Sequence, residues 1–137
     1  MSGKKLVVII KDGLETGKAM NALAHAMLGF GAGVISKEDA RLNKYEDKNG
    51  NIHNNISERG IIILKATAGK IKAIKNQAKE EGLQFVDFTD TMSIGTYQEE
   101  YDLTKTRSDE ELNYWALVLF GEEDKINKLT EKLSLYR

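Results

Sequence analysis

No cysteine occurs in the 137-residue chain. Disulfides, zinc–thiolate sites and thiol nucleophiles are therefore excluded, and the composition suits a reducing compartment. Proline is absent too, with no evident physical cause. Long apolar runs are missing: none approaches the ~20 residues that a membrane-spanning helix needs. The stretch Leu6–Ile10 follows a basic N-terminus but is too short for a signal-peptide core, and Lys11-Asp12 ends it. A cytoplasmic location away from membranes is expected. Neither sign of charge dominates, because 20 Lys and Arg against 21 Asp and Glu leave −1. A general nucleic-acid binder would be basic overall, so any RNA contact must come from a local patch. The only histidines, His25 and His53, are too dispersed for a metal site. No metal or other cofactor is expected.

What the chain does have is regular alternation. Its length suits one domain over residues 1–137. Lys5–Lys11 (KLVVIIK) is a continuous β-branched run, which predicts a strand buried on both faces. Thr16 or Gly17 then opens a helix to about Phe30. Met20, Leu23, Ala24, Met27 and Leu28 fall at helical spacing and read as its core stripe. A second stripe is small (Ala19, Ala22, Ala26, Gly29, Gly33) and would let another backbone approach closely. Asp47-Lys48-Asn49-Gly50 signals a hairpin turn between about 41–46 and 51–56. Ile61–Ala66 predicts a second strand, Ala68–Glu81 a helix with Ile71, Ile74 and Ala78 inward, and Phe85–Phe88 a third strand. Tyr97–Asn113 reads as a polar excursion with one helical turn, because Ser108 and Glu111 have capping-box spacing. Trp115–Phe120 is a fourth strand, followed by a helix to about Lys132 and a short terminal strand over 133–136. Strands alternating with helices imply crossover units. The expected fold is a three-layer α/β/α sandwich around a mixed, mostly parallel sheet.

Ligands in such sheets lie beyond the carboxyl ends of strands. The loop after the first strand, Gly13-Leu14-Glu15-Thr16-Gly17-Lys18, has glycines too close together for a phosphate loop, and Ala19 replaces its metal-binding hydroxyl. Free backbone N–H groups at this helix start could still hold an anion. Lys18 lies in the first turn, and His25 follows two turns later on the same side, with Asn21 nearby. Asp87 lies within or just after the third strand, and Thr89, Asp90, Thr91, Ser93 and Thr96 follow. If the first and third strands end on one edge, Lys18 and Asp87 can pair beside these hydroxyls and stabilise a tetrahedral intermediate. Lys72, Lys75 and Lys79 share a helix face that could neutralise phosphates; the commoner role for such a stripe is a solvated surface.

The order of these segments resembles the class II peptidyl-tRNA hydrolases. Lys5–Asp12, Gly17-Lys18 and His25-Ala26 are similar to that family's opening strand, Gly-Lys helix start and later Ser-His-Ala. Asp87, Thr91 and Gly95-Thr96 look like its Asp-Ala-Gly-x-Thr…Gly-Thr segment, and Ala116–Gly121 with Leu133–Tyr136 like its closing elements. The chain departs where Ala22 replaces a glutamine and Phe88-Thr89 replaces Ala-Gly. The loop between Leu14 and Gly17 is two residues shorter. Stretches near 35–55 and 97–113 look added, so the chain looks closest to a sister family of unknown function. The resemblance implies cleavage of the ester between a peptidyl group and the ribose of tRNA. Lys18, Asp87 and Thr91 would be catalytic. Asn21, His25 and Thr96 would bind substrate, and Lys72, Lys75 and Lys79 would touch the tRNA backbone. A homodimer is implied as well. The rival readings are a non-catalytic module for a small anion or a protein partner, and a structural dimer joined through the small-residue stripe.

Overall fold

A computed structural model describes residues 3–137. In chain order the elements are β1 (Lys4–Lys11), α1 (Thr16–Gly33), α2 (Lys37–Ala40), β2 (Leu42–Glu46), β3 (Ile52–Ser57), β4 (Ile61–Ala66) and α3 (Ala68–Glu80). Then come β5 (Gln84–Thr89), α4 (Tyr97–Lys105), β6 (Tyr114–Glu122), α5 (Glu123–Thr130) and β7 (Ser134–Leu135). Short 3₁₀ turns occupy Asp90–Ser93 and Asp109–Glu111.

Five strands form one sheet in the order β5-β6-β1-β4-β7. Only β1 and β4 are parallel; β1–β6, β5–β6 and β4–β7 are antiparallel. The fold is therefore mixed α/β with a mostly antiparallel sheet, not a mostly parallel one. The reason lies in the excursion after β5. Its ends meet, with the Asp90 N–H bonded to the Asn113 carbonyl at 2.8 Å, so the chain returns beside β5 as a wide hairpin. Because β1 and β5 both run antiparallel to β6, they point the same way and end on one edge, as the sequence reading required.

Side chains alternate across β1, and each set has its own apolar cluster. Leu6, Val8 and Ile10 join Ala116, Val118, Phe120, Phe88 and the inner face of α1. Val7 and Ile9 join Leu117, Leu119 and the apolar faces of α3 and α5.

Helix α1 corrects the expected core stripe in part: Leu23 and Met27 pack half-buried against the sheet cluster, but the other three positions are exposed. The helix buries Ala19, Ala22, Ala26 and Phe30, while Met20 (64%) and Leu28 (72%) are largely exposed. Small residues let the helix backbone sit close to the sheet, and Phe30 fills the widening space beyond them, edge-on to Phe120 at 6.3 Å between centroids. The three alanines of the candidate dimer stripe are thus inside the chain, while its Gly29 and Gly33 are exposed. Glycines 29, 31 and 33 remain helical, and the helix stops only at Val34.

The segment near 35–55 forms α2 and the β2–β3 hairpin, which stands apart as its own two-stranded sheet. Gly50 takes φ +84°, as the turn signal demands. Asp47 accepts hydrogen bonds from the Asn49 and Asn51 N–H groups and from His53, and the His53 bond is the main cause that lowers its pKa. His53 also stacks on Tyr45 with centroids 4.8 Å apart, so its role is local. No helix among the described residues is long and apolar enough to cross a membrane.

Candidate functional site

Where the outer edge of the sheet meets α1, a cavity of about 560 Å³ opens. Asn21, His25 and Ala26 of α1 form one wall, and Val86, Asp87 and Phe88 of β5 the floor. Met92, Ser93, Gly95, Tyr97 and Glu100 close it from the excursion. β5 is an edge strand, so no further strand fills this side.

His25 is exposed and lies 5.9 Å from the Phe88 ring, centroid to centroid. Its Nδ1 is 2.9 Å from the Asn21 carbonyl oxygen, one helical turn back. A carbonyl can only accept, which assigns a proton to Nδ1. In the neutral ring Nε2 is then the free base, with the imidazole orientation set by the helix itself.

The excursion is built to hold the opposite wall. Thr96 caps α4 by a capping box with Glu99. Glu100, in the first turn, accepts the Ile94 and Gly95 N–H groups at 3.1 and 3.3 Å through Oε2. Asp90 accepts from the Asn113 N–H at 3.0 Å and pairs with Arg107 at 3.4 Å. Thr91 is 1% exposed; its hydroxyl contacts those of Thr89 at 2.8 Å and Thr104 at 2.6 Å. Thr91 therefore pins the 3₁₀ turn to α4 and does not line the cavity. Thr96 is likewise spent on capping.

Lys18 is exposed near the start of α1, forms no ion pair among the described residues and does not line the cavity. The expected Lys18–Asp87 pair is not formed, and period-two alternation explains why. Val86 and Phe88 pack on the α1 side of the sheet and Phe85 on the α3 side, so the Asp87 side chain belongs with Phe85. There it meets a second polar cluster. Lys75, only 12% exposed, pairs with Asp109 at 3.3 Å, and the Tyr114 hydroxyl donates to the same carboxylate. Lys72 Nζ donates to the Glu110 carbonyl at 3.1 Å. Lys72 and Lys75 are thus engaged in anchoring the excursion, and of the three stripe lysines only Lys79 stays fully exposed.

Electrostatics in this cluster follow from local desolvation and close charges, although Asp87 and Asp109 are both exposed at the surface. Burial pushes the Asp87 carboxyl up, Lys75 opposes that, and Asp109 adds to it. The hydrogen bond from Tyr114 is the main cause that lowers Asp109. Burial and then the bond to Asp109 raise the Tyr114 phenol. A carboxyl whose pKa is raised by folding binds its proton more tightly in the folded state. Asp87 therefore withdraws stability as pH rises through the carboxylate range, and the cost vanishes below the unfolded value. Asp87→Asn is expected to raise the melting temperature near pH 7 and to leave it nearly unchanged near pH 3. Thermal unfolding at both pH values checks this; a fall near pH 7 would mean that attraction to Lys75 outweighs burial.

Of the residues singled out from the sequence, Asn21 and His25 meet at the cavity; Asp87 borders it from β5 but turns its carboxyl to the other face of the sheet, toward Lys75 and Asp109. Met92, Tyr97 and Glu100 went unrecognised, while Ser93 was noted only as one of the hydroxyls after the third strand. The available signal was the Thr96–Glu99 capping-box spacing, which starts a helix at Tyr97 and puts Glu100 in its first turn.

These features define a mixed α/β domain with a cleft where α1 meets the edge of its sheet. The chain belongs to the family described as protein of unknown function (DUF2000), whose model matches residues 4–137. A solved structure of a protein of unknown function from Agrobacterium tumefaciens strain C58 has the same fold. It matches with a TM-score of 0.85 and 20% identity, over 100% of both chains. No curated protein matches the sequence. The kinship with a family of unknown function thus holds, and nothing in these matches links the chain to peptidyl-tRNA hydrolases.

Proposed function

We propose that the domain is a hydrolase of three-layer, peptidyl-tRNA hydrolase II-like architecture that cleaves an acyl ester in the cavity, with His25 as its base. The observation that carries this reading is His25 at the wall of a 560 Å³ cavity, with Nδ1 anchored on the Asn21 carbonyl and Nε2 free. Apolar clusters on both faces of the sheet support the layered reading. His25 Nε2 takes a proton from water, the hydroxide attacks the acyl carbon, and the proton passes on to the departing alkoxide. The Asn21 amide and Tyr97 hydroxyl are the donors available to a developing oxyanion. Lys18 and Thr91 take no part, and tRNA contact through Lys72 and Lys75 would require both to leave their present partners.

A second reading, a binding module without turnover, is favoured by one observation: Lys18, Asp87 and Thr91 do not assemble. Hydrolysis of a defined peptidyl-tRNA and of small aminoacyl and acyl esters by the wild type and by Lys18→Ala separates the two. Cleavage retained in Lys18→Ala is the expected result. Cleavage abolished by Lys18→Ala would restore the lysine-centred site, and no cleavage of any ester would leave the binding module.

A further inference from the structure

The lining of the cavity has a bias that neither functional reading specifies. None of the described residues that line it is lysine or arginine. Its polar groups, moreover, have mostly spent their protons elsewhere. Ser93 Oγ donates its single hydrogen to the Asp90 carbonyl at 2.7 Å, leaving lone pairs. The His25 Nδ1 proton goes to the Asn21 carbonyl, leaving the Nε2 lone pair. Glu100 is half-buried; its Oε2 takes two N–H groups, and Oε1 accepts none of the hydrogen bonds among the described residues. Only the Asn21 amide and the Tyr97 hydroxyl can donate. Tyr97 and Phe88 bring aromatic rings to the lining, and Ala26, Val86 and Met92 supply apolar wall.

A partly buried carboxylate without a cation, among acceptors and aromatic rings, is complementary to a donor-rich positive group. Inorganic phosphate or a carboxylate would meet acceptors where it needs donors. We propose that the cavity takes a small organic ammonium, its charged nitrogen on Glu100 and the aromatic rings and its short apolar body on Val86 and Met92. This rests on the cavity being the ligand site; under the hydrolase reading, the substrate is an acyl compound carrying a free amine.

The test follows backbone amide resonances of Asn21, His25 and Gly95 in the ¹⁵N-labelled chain. The probes are n-butylammonium, n-butanol, butanoate and inorganic phosphate, titrated at constant ionic strength. Butylammonium is expected to shift these resonances saturably and to bind about tenfold more tightly than butanol, the usual gain of one charge-assisted hydrogen bond. Butanoate and phosphate should leave them in place. Glu100→Gln keeps an acceptor for the Ile94 and Gly95 N–H groups and should abolish the preference for butylammonium over butanol. Equal affinity for butanol and butylammonium, or a preference for either anion, would overturn the ammonium assignment while keeping the cavity as a ligand site. No movement with any probe would overturn both. The wild-type series decides these outcomes even if the variant fails to fold.

Discussion

His25→Ala is expected to lower the turnover of a cleaved ester by about 10²–10⁴-fold, the usual contribution of one positioned general base. Stability should change by no more than about 0.5 kcal/mol, because the side chain is exposed and its only polar partner is a carbonyl already within a helix. These two readouts together separate a chemical role from a structural one. A third is the pH dependence of kcat/KM: the limb contributed by the base should vanish in the variant. The ground for ranking His25 above Lys18 is geometric. Both lie on α1, but only His25 borders the cavity, and only His25 has a ring nitrogen fixed by a neighbour. A drop of the same size in Lys18→Ala, with His25→Ala unaffected, would reverse the ranking.

The parts of this site that were legible in the sequence share a cause. His25 and Asn21 lie one turn apart on a helix, and helical periodicity alone puts them together. The shared edge of β1 and β5 was legible only as a condition, which the antiparallel pairing of both strands with β6 meets. Pairing across the sheet was not. Asp87 looked free to meet Lys18 as long as the strand was treated as a line. Once Val86 and Phe88 are committed to the α1 side, the pleat sends Asp87 to the other face, toward Lys75 and Asp109. The parallel sheet failed for a related reason. Strand–helix alternation fixes which elements cross over only if successive strands are neighbours, and β4 and β5 lie at distant positions in the sheet. The lysine stripe was read correctly as a helix face, but the excursion folds back over part of it, a long-range event with no local signature.

The largest stability effect is expected from Phe30→Ala, and it tests the rotation of α1 directly. Two stripes on this helix competed for the sheet. By hydrophobicity, the Met20–Leu28 stripe should win. By packing, the alanines take the centre of the contact, with Leu23 and Met27 half-buried beside them, because alanines bring the helix axis close enough for Phe30 to reach Phe120. Phe30 is 1% exposed. Truncating it removes buried surface and leaves a cavity that a helix seated on alanines cannot easily collapse, so a loss of about 3–5 kcal/mol is expected. For a chain of this size that lowers the melting temperature by roughly 10 °C or more. Leu28→Ala is the matched control: a large apolar residue on the same helix, two positions earlier and 72% exposed. Its cost should stay within about 0.5 kcal/mol. Chemical denaturation of both variants with a common slope gives the comparison. Equal losses would mean that Leu28 is covered in solution as thoroughly as Phe30. A larger loss for Leu28→Ala would mean that the hydrophobic stripe, not the small one, faces the sheet.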